Sequence, residues 1–349
     1  MKQLFYILLA LFLCTSAASF IKEAEVPVKT KNYLAYSAHK AMWDQLHLGN
    51  YDSIPSVLVQ LNNALHQNTQ DSKIAAHLGF IYLWKFCERG RKKPDSAIIQ
   101  NIYLSNHFFK QSLKLNKNDA RIYGFQSATE LCEGAASENI IQIASGYFKG
   151  RAAIKKWPQF NRFALSFIES QLDTSSRLYK QGMKYQWQLI DECSCKELNK
   201  KEILESPETV FKELIQELQL SNDPRVTRAC WNSWIAPHNF EGFLLNLGDM
   251  LVKQGHVKEA KKIYKATKLS PSFHEWVYKK VIDERIKNAE KNIENFNKEM
   301  KLVLPRNEPQ LFINSPISCV ACHQMSPAEF IRFGYQEPGY EIYNTTNMK

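Results

Sequence analysis

Cys319-Val320-Ala321-Cys322-His323 sets two thiols and an imidazole within one short stretch near the C-terminus. Two residues between the cysteines let both sulfurs meet the two vinyl groups of a single porphyrin. The next residue turns back under the ring, where its imidazole reaches the iron. The pattern therefore predicts one haem c, bound covalently through Cys319 and Cys322 with His323 as the proximal iron ligand. Two other readings of the same thiols stay open. They can close a structural disulfide in an oxidising compartment, or bind another metal, although no second Cys or His pair stands nearby in the tail.

Haem of this kind is attached after export, and the N-terminus agrees. Lys2 supplies a positive start, residues 4–14 are apolar, and Thr15-Ser16-Ala17-Ala18 is a small-residue cleavage site. Residues 1–18 read as a removable secretory signal, too short in its apolar part to span a bilayer. Phe12 and Leu13 are bulky where a lipoprotein signal before Cys14 would be small. The expectation is a protein exported to the periplasm or cell envelope, without a transmembrane segment.

Of the 349 residues, 44% are hydrophobic and only 13 are Gly and 13 Pro, a balance that favours helices joined by short loops. The formal charge of +10 suits an acidic protein partner or an anionic membrane surface. Nucleic acid is the weaker reading for an exported chain. No G-x-S-x-G, Walker loop, H-E-x-x-H or dinucleotide-binding glycine cluster is present, so any chemistry would belong to the iron.

The elements that must position the thiols show a helical repeat. Leu244, Leu247 and Leu251 fall on one helix face, and Gly255 fits the residue just past that helix. Ala260 allows a second helix to approach, Tyr264 fills the next layer and Pro271 ends the unit. This stretch resembles the tetratricopeptide repeat, with a period of about 34 residues. Weaker copies lie upstream: His77-Leu78-Gly79 with Tyr82, then Ser105, Phe109, Ser112 and Leu115. Further helices are predicted over 121–131, 144–157 with Pro158 closing the unit, 162–172 and 175–190. The resemblance implies an all-α, tetratricopeptide-like α-solenoid over residues 19–301. Residues 272–298 read as one long amphipathic helix capping its open end. Residues 302–349 read as a Pro-containing linker, with Pro305, Pro309 and Pro316, and a CxxCH tail. On this reading, deletion from Leu302 onward leaves the helices intact.

The motif is similar to that of c-type cytochromes, although it stands at the end of the chain rather than near the start of a small domain. Too little chain follows His323 to enclose a porphyrin. The pocket must come from the helices, from a partner, or not exist. Met348, His256, His274, His238 and Met300 are the candidates for the opposite axial position, while Met325 is too close to His323 to cross the ring. Among the remaining cysteines, Cys87 and Cys132 end equivalent helices and are placed to bridge, and Cys230 can pair with Cys193 or Cys195. The aromatic run at 230–240 is packing or a wall for the haem. Two functions follow. One is an exported haem protein passing electrons to or from a partner, such as an acidic redox protein, docked on its repeats. The other is a non-redox envelope scaffold in which Cys319 and Cys322 are only structural.

Overall fold

Asn and Asp residues start the helices. Asn32, Asp71, Asp119, Asn139, Asn199 and Asn239 each stand at an N-cap, where the side-chain oxygen accepts a backbone N–H of the first turn. The computed structural model describes residues 28–30, 32–91, 97–194, 196–220, 239–298, 309–325 and 340–342. Among the described residues the fold is all-α. The helices are α1 (Tyr33–His47), α2 (Ile54–Gln67), α3 (Ser72–Cys87), α4 (Ile98–Leu115), α5 (Ala120–Ala136), α6 (Ile140–Lys156), α7 (Pro158–Glu169), α8 (Arg177–Ser194), α9 (Lys200–Glu205) and α10 (Pro207–Leu220). They continue as α11 (Phe240–Lys253), α12 (Val257–Ala266), α13 (Lys279–Lys287), α14 (Ala289–Asn297) and the single turn α15 (Val320–His323). Two short strands, β1 (Val28–Thr30) and β2 (Tyr340–Ile342), pair in parallel, with Val28 opposite Tyr340.

Most helices pack on their neighbours in sequence, α3 on α4, α5 on α6 and α11 on α12 among them. Two of these pairs use the same device. A Cβ on Gly79 would meet the Phe109 ring at 2.6 Å, and one on Gly248 would meet the Tyr264 ring at 2.3 Å. In each, a Leu-Gly step on the first helix admits an aromatic ring from the second. Gly255 follows α11 at φ +84°, the left-handed conformation that glycine adopts without strain. A buried ion pair fastens the C-terminal side: Arg285 Nε lies 2.9 Å from Asp249, which also accepts from Tyr264 at 2.6 Å. The same guanidinium donates to the Gln310 carbonyl at 2.6 Å.

Three expectations need correction. Pro158 does not close a unit; it opens α7 at a position where a missing N–H costs nothing. Residues 272–298 are not one capping helix. Turns run to Tyr278, where Trp276 is drawn inward, and α13 and α14 are separated at Asn288 (φ −106°, ψ 15°). Nor is the tail detached, since residues 311–325 are built into the core. Leu311, Phe312, Ile313, Ala321 and Cys322 join the cluster formed by α8–α14, and Val320 joins the one formed by α1–α3. These side chains are apolar enough to stay buried without any helical period. The signal segment, His238, Met300, Met348, Cys195, Cys230 and most of the 230–240 run lie outside the described residues, as does the side chain of Cys193.

Candidate functional site

The turn α15 carries Cys319 at its N-cap, with Cys322 and His323 one turn further on. Positions i, i+3 and i+4 share a helix face, so this single turn gathers both thiols and the imidazole. Buried groups hold it at both ends. Glu88, just past α3, accepts the backbone N–H groups of Cys319 at 2.9 Å and Val320 at 2.8 Å on one carboxylate oxygen. Its other oxygen accepts from Trp84 Nε1 at 3.0 Å and pairs with Arg91 at 2.8 Å. Burial pushes the Glu88 carboxyl upward, while Arg91 and these donors oppose the shift. At the other end, Trp276 Nε1 donates to the Ala321 carbonyl at 3.0 Å and the Asn239 N–H to that of Cys322 at 2.6 Å. Asn239 Nδ2 adds a bond to the Gln324 carbonyl at 2.9 Å.

The packing around the sulfurs is close. Cys322 is 4% exposed. A Cβ on Gly242 of α11 would lie 2.6 Å from its Sγ and 2.7 Å from its Cα. Burial raises the Cys322 thiol far above the usual range, with Glu241 and Glu88 adding to the effect. The thiol of Cys319 is in hydrogen-bond contact with that of Cys87, and this contact, followed by burial, holds it protonated. Cys87, Cys132, Cys319 and Cys322 are all thiols. The expected Cys87–Cys132 bridge is therefore not formed, and Cys87 faces Cys319 instead.

Beside the motif lies a histidine cluster that the sequence reading did not single out. The Trp43 ring centroid is 6.3 Å from that of His323 and 5.5 Å from that of His47. His47 is 2% exposed, and burial first, then His323, lowers its pKa to about 3. Its carbonyl accepts the Met325 N–H at 3.1 Å. His39 and His77 lie on the other side of Trp43, with His39 Nδ1 and His77 Nε2 2.8 Å apart. His77 Nδ1 faces the Lys73 carbonyl at 2.5 Å and must carry a proton to bond there, so its Nε2 is the acceptor for His39. The sequence signal was present: His39, Trp43 and His47 recur every four residues on one face of α1. His256 and His274, the expected ligands on the last repeat, are exposed.

By residue type the site fits a c-type haem, with two thiols and an imidazole on one turn and a second imidazole, His47, adjacent. The described residues contain no cluster of three or more His, Cys, Asp or Glu that could hold a bare metal ion, and no helix among them is long and apolar enough to cross a membrane. No family model, curated protein or solved structure matches the chain.

Proposed function

We propose that this chain is an exported c-type haem protein, loaded through Cys319 and Cys322 and ligated by His323, which exchanges electrons with a protein docked on its tetratricopeptide-like helices. The observation that carries the reading is the position of His47 beside His323, on a turn that already gathers both thiols. When bound, the group supplies one-electron chemistry at an iron whose potential depends on its axial ligands and burial. His323 and His47 are the residues that would hold the iron. Burial keeps the His47 imidazole neutral, so a nitrogen lone pair is available for ligation. Glu88, Trp276 and Asn239 fix the turn, and the apolar residues around it exclude water. Because Cys322 is so deeply packed, its thiol is open to chemistry only while the turn is undocked.

Expression of the full chain in a host competent for covalent haem attachment tests the reading. The expected result is haem that stays with the polypeptide on a denaturing, peroxidase-stained gel, lost in Cys322→Ala and spectrally altered in His323→Ala. A colourless band from a host that loads a control cytochrome overturns it. The second reading, a non-redox envelope scaffold, draws on the docking of α15 against both halves of the chain. It predicts the colourless band together with a stability loss for the same variants.

A further inference from the structure

Two thiols without a role so far, Cys87 and Cys132, lie near Cys319 at the C-terminal end of α3. Cys87 is the last residue of that helix, with Cys319 in contact on one side. Cys132 is near enough for Cys87 to add to the burial that pushes its thiol up to about 12. We propose that Cys87 and Cys319 form a reversible disulfide that latches the motif turn onto α3.

Hydrogen bonds hold the backbone of Cys319 beside the residue that follows Cys87. Glu88, the residue after Cys87, accepts the N–H of Cys319 itself at 2.9 Å and that of Val320 at 2.8 Å. Arg91, three residues further on, donates to the Pro316 carbonyl at 2.6 Å. Hydrogen bonds thus pin both partners within one residue of each sulfur, and the sulfurs meet between them. Cys87 and Cys319 are residues of intermediate exposure, whereas Cys322 is buried against Gly242. The contact also favours Cys319 over Cys132 as the partner of Cys87, because the structure gives Cys132 only an electrostatic interaction with Cys87.

The oxidant is an external disulfide, such as oxidised glutathione or the oxidised pair of an exchange enzyme. The Cys87 thiolate attacks one reagent sulfur, forming a mixed disulfide and expelling the other as a thiolate. Cys319 then gives up its proton and attacks the Cys87 sulfur, forming the Cys87–Cys319 bond and releasing the second reagent thiolate. Two protons leave the chain and two electrons reduce the reagent. The latch rests on the haem reading in one respect only: Cys319 has a single sulfur, so the disulfide and a thioether at that residue exclude each other. A latched chain must be reduced before Cys319 can take another partner.

The test uses the full chain from a host that lacks haem-attachment machinery. The protein is equilibrated across glutathione buffers from reducing to oxidising, free thiols are alkylated, and non-reduced peptides are mapped by mass spectrometry. The expected result is a Cys87–Cys319 peptide that becomes the main form of both residues at the oxidising end, with Cys132 alkylated throughout. Oxidation should also raise the melting midpoint of the parent but not of Cys87→Ser, a surface-accessible change that leaves the Glu88 clamp in place. A dominant Cys87–Cys132 or Cys319–Cys322 peptide overturns the latch, as does full alkylation of Cys87 and Cys319 under oxidising conditions. Haem staining of protein from a competent host is read separately, so failure of the haem reading and failure of the latch are distinguishable.

Discussion

Gly242→Ala should destabilise the protein although it replaces a helical glycine with the best helix former. Local propensity favours alanine by up to about 1 kcal/mol, and by less here because Gly242 lies in the first turn of α11. The added Cβ would stand 2.6 Å from Cys322 Sγ, 2.7 Å from its Cα and 2.8 Å from the Ala321 carbonyl oxygen. Two of those three atoms are backbone, so a rotamer change cannot relieve the clash and the turn α15 has to move. Overpacking of this kind costs about 1–3 kcal/mol. A shift of the turn also weakens the bonds from Asn239 to Cys322 and from Trp276 to Ala321, each worth about 1 kcal/mol. The net expectation is a loss of about 2–4 kcal/mol, measured by denaturant titration of the full chain. Displacement of the turn should also make Cys322 reactive toward an alkylating reagent under native conditions. A variant as stable as the parent, with Cys322 still protected, would show that the turn does not pack on α11.

Three further outcomes follow from the same geometry. Glu88→Ala should cost about 3 kcal/mol, because it removes the buried carboxylate that pairs with Arg91 and accepts from Trp84 and two backbone N–H groups; Glu88→Gln keeps an acceptor and should cost about half as much, and equal unfolding midpoints for all three proteins would contradict the clamp. Deletion from Leu302 onward, which the sequence reading treats as harmless, removes Leu311, Phe312, Ile313 and Val320 from the core. At about 1.5–3 kcal/mol per buried side chain that loss rivals the whole stability of a typical domain, so the cooperative melt should collapse, and a parental midpoint in the truncated chain would refute the docking. His77 is neutral when folded because burial lowers its pKa from 6.5 to about 4, so its contribution is complete above pH 6.5 and is lost as the pH falls toward 4. The slope is about 1.4 kcal/mol per pH unit for this one group, and His77→Gln should flatten it in denaturation series across that range.

Helix positions were legible because their signals are local. Gly255 marks a left-handed stop, and Leu247-Gly248 with Tyr264 announces a close helix pair. The grouping of Cys319, Cys322 and His323 was legible too, since they are neighbours in sequence. Where those residues sit was not. The prolines around Leu311-Phe312-Ile313 suggest a linker, and nothing local reveals that Gly242, Trp276 and Glu88 converge on them. His47 was hidden for the same reason, lying at the far end of the chain from the imidazole it accompanies. The break at Asn288 was missed because the apolar spacing runs through it; its side-chain amide turns back to the Glu284 carbonyl at 3.1 Å.

The docking of α15 has a consequence for the order in which this molecule is completed. Val320 belongs to the core of the first three helices, while its neighbours Ala321 and Cys322 belong to that of the last. Tyr278 and Ile317 touch both cores, and the strand at 28–30 waits for its partner at 340–342. A chain made from its N-terminus exposes the unfinished faces of α1, α3 and α11 until residues 311–325 are delivered. Contacts of such long sequence separation form late and slowly. The turn that carries the two thiols is therefore a late-forming keystone of the fold. A reagent for Cys322 has to act in the interval before closure, since the closed turn packs that sulfur against Gly242.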